Sequence, residues 1–129
     1  MERLFLTLSG VFGALGVGLG AFGAHGLKAR LATLADGADR RAWWETAAHY
    51  HLVHALALGL AAYVAARRGE STAALVAGVG FAGGILLFSG SLYAMTLTGV
   101  RALGAVTPIG GLLFIVGWVA IAVAAWQTR

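Results

Sequence analysis

The chain has 129 residues, 60% of them hydrophobic and 11% charged, with a mean hydropathy of +0.85, whereas soluble domains carry roughly a quarter charged residues. So much apolar surface has no place in a soluble domain of this length, which excludes a water-soluble enzyme or nucleic-acid module. The formal charge of +4 does not restore the nucleic-acid reading, because the bases sit in short patches between apolar segments; contact with anionic lipid head groups is the better account of them.

Four apolar segments lie between those patches, over residues 4–25, 43–66, 72–97 and 106–127. Each is near the ~20 residues that a helix needs to cross a ~30 Å hydrocarbon layer. Backbone polar groups find no water there, so such segments form helices. The expected fold class is an all-α membrane protein, a four-transmembrane-helix bundle forming one domain over 1–129, with both termini on the same side. The first segment follows Arg3 and is rich in small residues, as a signal peptide is. Its apolar run exceeds the roughly 7–15 residues of a signal core, so it is expected to be retained. Arg3, Arg67, Arg68 and Arg129 on the terminal side nearly balance Lys28, Arg30, Arg40, Arg41 and Arg101 on the other, so positive-inside counting gives no orientation. With no cysteine there is no disulfide framework, thiolate site or thiol nucleophile.

Within the first segment, Gly18-Leu19-Gly20-Ala21-Phe22-Gly23 has the G-x-G-x-x-G spacing of a dinucleotide loop. That loop works only after a strand and at a helix amino end, whereas these glycines close a hydrophobic helix. The small-xxx-small pattern that lets helices approach in lipid is the better account. Gly16 and Gly20 in the first segment, Gly80 and Gly84 in the third, and Gly110 and Gly111 in the fourth are the expected packing positions. Beyond the first crossing, Leu27, Leu31 and Leu34 with Lys28 and Arg30 between them predict a short interfacial helix, ended by a turn at Asp36-Gly37. Trp43, Trp44 and Trp126 fall at segment ends, where indoles favour the head-group level.

All four histidines fall between residues 25 and 54. In the second segment the spacing places Tyr50, His51 and His54 on one helix face, and polar groups inside a membrane helix point at a partner or a pathway. Three readings stand beside one another: interhelical hydrogen bonds from Tyr50 and His54 to carbonyls, to Ser89, to Ser91 or to Thr107; imidazole ligation of haem or a metal by His25, His51 and His54; and a pocket or pathway for a lipid, a small lipophile or a proton. In the third segment Ser89, Ser91 and Tyr93 supply hydroxyls. Thr107 precedes Pro108 and is the expected N-cap of the last helix.

In order along the chain, "GAFGAHG" (20–26), Tyr50-x-x-x-His54 followed by "ALAL", "FSGSLY" (88–93), "TPIGG" (107–111) and Gly117-Trp118 resemble the bacterial membrane family named domain of unknown function 423. The transmembrane protein 256 family of animal mitochondria looks similar. The resemblance covers essentially the whole chain and implies a small protein of about four helices in the bacterial inner membrane, with cytoplasmic termini and no assigned activity. His49 stands outside its pattern. The candidate ligand or interhelical polar site is His25, Tyr50, His51, His54, Ser89, Ser91, Tyr93 and Thr107, with no catalytic residue, metal ligand or cofactor assigned. The reading is a non-enzymatic accessory, assembly or lipid- or hydrophobic-ligand-binding protein. Its partners are membrane lipids, with a homo-oligomer or larger complex as a further option. A small oligomeric transporter or channel and a haem- or metal-binding protein are the alternatives.

Overall fold

A computed structural model describes residues 1–69 and 71–127. The chain forms four long helices: α1 (Glu2–Leu31), α2 (Gly37–Arg68), α3 (Thr72–Thr98) and α4 (Thr107–Trp126), the last preceded by a 3₁₀ turn at Arg101–Ala105. Each is long and apolar enough to cross a membrane, and there is no strand among the described residues.

Two helices are longer than hydropathy implies. The first does not stop near residue 25; it continues through a π turn, Gly23–Leu27, into Lys28–Leu31. A separate interfacial helix is therefore replaced by the last turns of α1. Leu27 and Leu31 are buried there against Trp44, while Leu34 lies beyond the helix and is exposed. The second begins at Gly37 rather than near residue 43. Its charged first turns carry Arg40–Asp36 and Arg41–Glu45 ion pairs four residues apart, a spacing that supports a helix in water and leaves no apolar mark. Gly37 is required at the corner because a Cβ there would collide with the Leu31 carbonyl.

The Ser71 hydroxyl accepts from the Ala74 amide at 3.1 Å to cap α3. The helix passes through a second π turn, Ile85–Ser89, and ends at Gly99, whose φ of 72° is the left-handed conformation that closes a helix. At the start of α4 the cap position is held by Val106, with no side-chain cap. The Thr107 hydroxyl is instead 2.6 Å from that of Ser91, so its role is interhelical.

The helices pack in chain order: α1 on α2, α2 on α3, α3 on α4. Lipid offers no hydrophobic gain for this clustering, so close contact supplies it. Alanines and glycines form the seams, filled by Phe5, Leu58, Phe81 and Phe114. A Cβ on Gly80 would lie 2.8 Å from the Leu113 carbonyl oxygen; one on Gly84 would overlap the Phe114 ring, and one on Gly110 would overlap the Phe88 backbone. Gly16 is buried against Leu52 and His51. Gly20 is not a packing glycine, since nothing from another part of the chain lies within 4 Å of its Cβ position, and Gly111 makes only ordinary contact with the Phe88 ring at 3.6 Å. Gly23, Gly78 and Gly117 take close approaches from Trp44, Phe5 and Phe81. Trp44 is not a head-group anchor: it is 3% exposed and its indole N–H donates to the Leu19 carbonyl at 2.9 Å, locking α2 to α1.

Candidate functional site

The central helix α2 presents three consecutive layers of polar groups to its neighbours. Nearest the α1–α2 corner, the Thr96 hydroxyl donates to the Arg40 and Leu92 carbonyls, and the Arg40 guanidinium donates to the Thr96 carbonyl at 3.3 Å. One step deeper, the fully buried Ser89 hydroxyl donates to the Ala47 carbonyl at 2.8 Å. The π turn ending at Ser89 brings that hydroxyl onto α2, and Gly110 lets α4 pass close behind it.

The third layer holds the histidines, and it splits. His51, 3% exposed, has Nδ1 at 3.0 Å from the Tyr93 hydroxyl of α3 and meets the Phe12 ring of α1 edge-on. Its Nε2 is buried and has no hydrogen-bond partner among the described residues. His54, 4% exposed, turns the other way. Its ring stacks on Phe114 of α4 with centroids 3.4 Å apart; the Trp118 indole N–H donates to its Nε2 at 3.1 Å, and its Nδ1 lies 2.7 Å from the Tyr50 carbonyl. The indole has only a donor to offer, so Nε2 accepts, the proton sits on Nδ1, and the ring is neutral.

This geometry corrects the expectation of one shared face. Tyr50 and His54 do lie together, their rings nearly parallel at 9°, but His51 belongs to a different helix interface. It also weighs against imidazole ligation, because the Nε2 lone pair of His54 is occupied by Trp118 and His25 is exposed on the π turn of α1. No group of three or more His, Cys, Asp or Glu able to hold a metal occurs among the described residues. Ser91 and Thr107 bond each other across the α3–α4 junction. Expected bonds from the Tyr50 hydroxyl to the serines or threonine do not occur.

Tyr50 itself is 41% exposed. Its ring lies 4.6 Å from that of Phe88 and 6.2 Å from that of Phe114, and its hydroxyl takes no part in the hydrogen bonds among the described residues. It forms one wall of a groove of about 650 Å³ on the outer surface of the bundle, continued by His54, Phe88, Pro108, Leu112, Phe114 and Trp118. The Trp118 side of this site was not singled out as a site residue from sequence, although an indole in the middle of the fourth apolar segment, far from either head-group level, is itself a signal.

Residues 19–111 match the family model described as Protein of unknown function (DUF423). The chain is 41% identical to the UPF0382 membrane protein YwdK of Bacillus subtilis over 95% of this chain and 96% of that one. It is 38% identical to a UPF0382 membrane protein of Staphylococcus aureus, covering 97% of each, and 37% identical to one of Haemophilus influenzae, covering 100% and 98%. No solved structure matches the chain.

Proposed function

The chain belongs to the DUF423 family of bacterial membrane proteins, and from that premise we propose that it binds a lipid-soluble molecule, without transforming it, in the groove beside Tyr50. The observation that carries the reading is the Tyr50 side chain: a phenol walled by aromatic rings and near the middle of α2, whose hydroxyl takes no part in the hydrogen bonds among the described residues while the rings of its wall and both nitrogens of His54 are engaged. A hydroxyl in hydrocarbon gains from an acceptor, and a groove of this size suits a ligand of a few rings. The ligand this fits is flat, apolar and equipped with an accepting oxygen, entering sideways from the bilayer. A proton or ion pathway is less well supported, because His54 has both nitrogens engaged and Ser89 is fully buried and bonded.

The test uses the full chain in lipid nanodiscs titrated with a short-chain naphthoquinone, whose binding is read by quenching of tryptophan fluorescence, Trp118 being at the groove. Saturable binding weakened about fivefold in Tyr50→Phe, the equivalent of one hydrogen bond of about 1 kcal/mol, supports the reading. Quenching that is linear in the quinone, or equal in the wild type and Tyr50→Phe, overturns it.

A further inference from the structure

The end of the bundle that carries the α1–α2 corner has five basic residues, Lys28, Arg30, Arg40, Arg41 and Arg101, and three acidic ones, Asp36, Asp39 and Glu45. Each acid is taken: Asp36 by Arg40 at 2.9 Å, Glu45 by Arg41 at 2.8 Å and Asp39 by Arg101 at 3.2 Å. Lys28 and Arg30 have no carboxylate partner among the described residues, and both are exposed. They are nevertheless well placed, because the turn that carries them is anchored by buried Leu27 and Leu31.

Beside Arg30 the chain leaves a cavity of about 530 Å³, bounded by Thr33, Leu34, Arg40, Thr96 and Leu97. Its rim is cationic and hydroxylated. Its flank is apolar, with Leu34 42% and Leu97 56% exposed. Arg40 is held in place by Asp36 and by the Thr96 carbonyl, and Gly99 makes room for its guanidinium, since a Cβ there would overlap it. On the opposite side of the same corner Lys28 borders a second hollow with Arg41.

We propose that this corner binds the head group of an anionic phospholipid, its phosphate drawn by Arg30 with Arg40 as a fixed donor, and its acyl chain lying along Leu34 and Leu97. A cationic rim over exposed leucines complements a molecule with a negative head and an apolar tail. A soluble phosphate would use only the rim. The site is distinct from the groove at Tyr50 and stands or falls separately from it.

The experiment is native mass spectrometry of the full chain in detergent with equimolar phosphatidylglycerol and phosphatidylcholine. The wild type is expected to retain phosphatidylglycerol preferentially, and Arg30→Ala to weaken that preference about fivefold, the contribution of one base near a membrane surface. The control Arg67→Ala removes the same charge at the other end, and Arg30→Lys keeps the charge in place; both are expected to behave as the wild type. No preference in the wild type, its survival in Arg30→Ala, or an equal loss in Arg67→Ala overturns the site. Displacement of bound phosphatidylglycerol by millimolar glycerol phosphate overturns the lipid in favour of a soluble phosphate.

Discussion

Replacing Gly110 by alanine is expected to destabilise the bundle by about 2 kcal/mol, although it adds a single methyl group and improves helix propensity. A Cβ at Gly110 would lie 2.7 Å from both the Cα and the Cβ of Phe88, where carbon atoms rest about 3.5–4 Å apart. The obstacle is backbone, in the π turn of α3, so no rotamer change relieves it; α4 has to move out by about 1 Å. A gap of that size forfeits a quarter to a half of each dispersion contact. For about 30 atom pairs along the seam at ~0.15 kcal/mol each, the loss is about 1–2 kcal/mol, and overpacking of this kind falls in the range of about 1–3 kcal/mol. Reversible unfolding in mixed micelles, followed by circular dichroism as the denaturing detergent fraction rises, measures it. Gly20→Ala is the internal comparison, since its Cβ position is open; it is expected within about 0.5 kcal/mol of the wild type. If Gly110→Ala unfolds with the wild type, or Gly20→Ala loses as much as Gly110→Ala, the close-approach argument fails.

The same assay applies to the histidine layer. His54→Ala is expected to lose about 2–3 kcal/mol, through the ring packed on Phe114 and a membrane-buried hydrogen bond of about 0.6–1.7 kcal/mol, while Trp118→Phe loses mainly the bond. A double-mutant cycle between the two should show coupling of about 1 kcal/mol, and zero coupling would mean that the indole–imidazole bond contributes nothing. At the membrane edge, the Arg40 guanidinium bonded to Asp36 holds its carboxyl below the ordinary value of 3.8. A lowered folded-state value means that the contribution is present above that ordinary value and lost as pH falls through the lower one. Thermal stability should therefore fall in acid, and Asp36→Asn should flatten part of that fall; superimposable profiles for the two proteins would contradict it.

The number of crossings was legible because it depends on bulk hydrophobicity, which any stretch of the chain reports about itself. The helix ends were not. Hydropathy marks where the membrane stops, while a helix stops where its backbone bonding fails; the turns of α2 from Gly37 are polar yet helical because Asp36, Arg40, Arg41 and Glu45 pair at helical spacing. Neither π turn has a local signature. Each coincides with an intrusion from another helix, Trp44 at Gly23 and α4 at Phe88, and so depends on who the neighbours are. The packing glycines show the same division. Gly16 and Gly20 have identical spacing credentials, but residues four apart on an α-helix differ by about 40° in direction, and by Gly20 the contact has passed to Gly23.

The polar site was half legible for a related reason. Sequence correctly marks Tyr50 and His54 as neighbours one turn apart, yet His51, about 60° from His54 around the axis, reaches another helix because α2 is in the middle of the bundle and has α1, α3 and α4 around it. On such a helix, adjacent positions answer to different partners, and only a map of those partners assigns them. Once it is drawn, most of the candidate residues turn out to be cross-links between helices: Ser89 to Ala47, Ser91 to Thr107, His51 to Tyr93 and His54 to Trp118. A side chain that spends its lone pair or proton on such a link is not free to hold a ligand. His54 is engaged in this way on both nitrogens, whereas the half-exposed Tyr50 beside it keeps its hydroxyl out of these links, which is why the proposed binding site is placed at the tyrosine and not at His54.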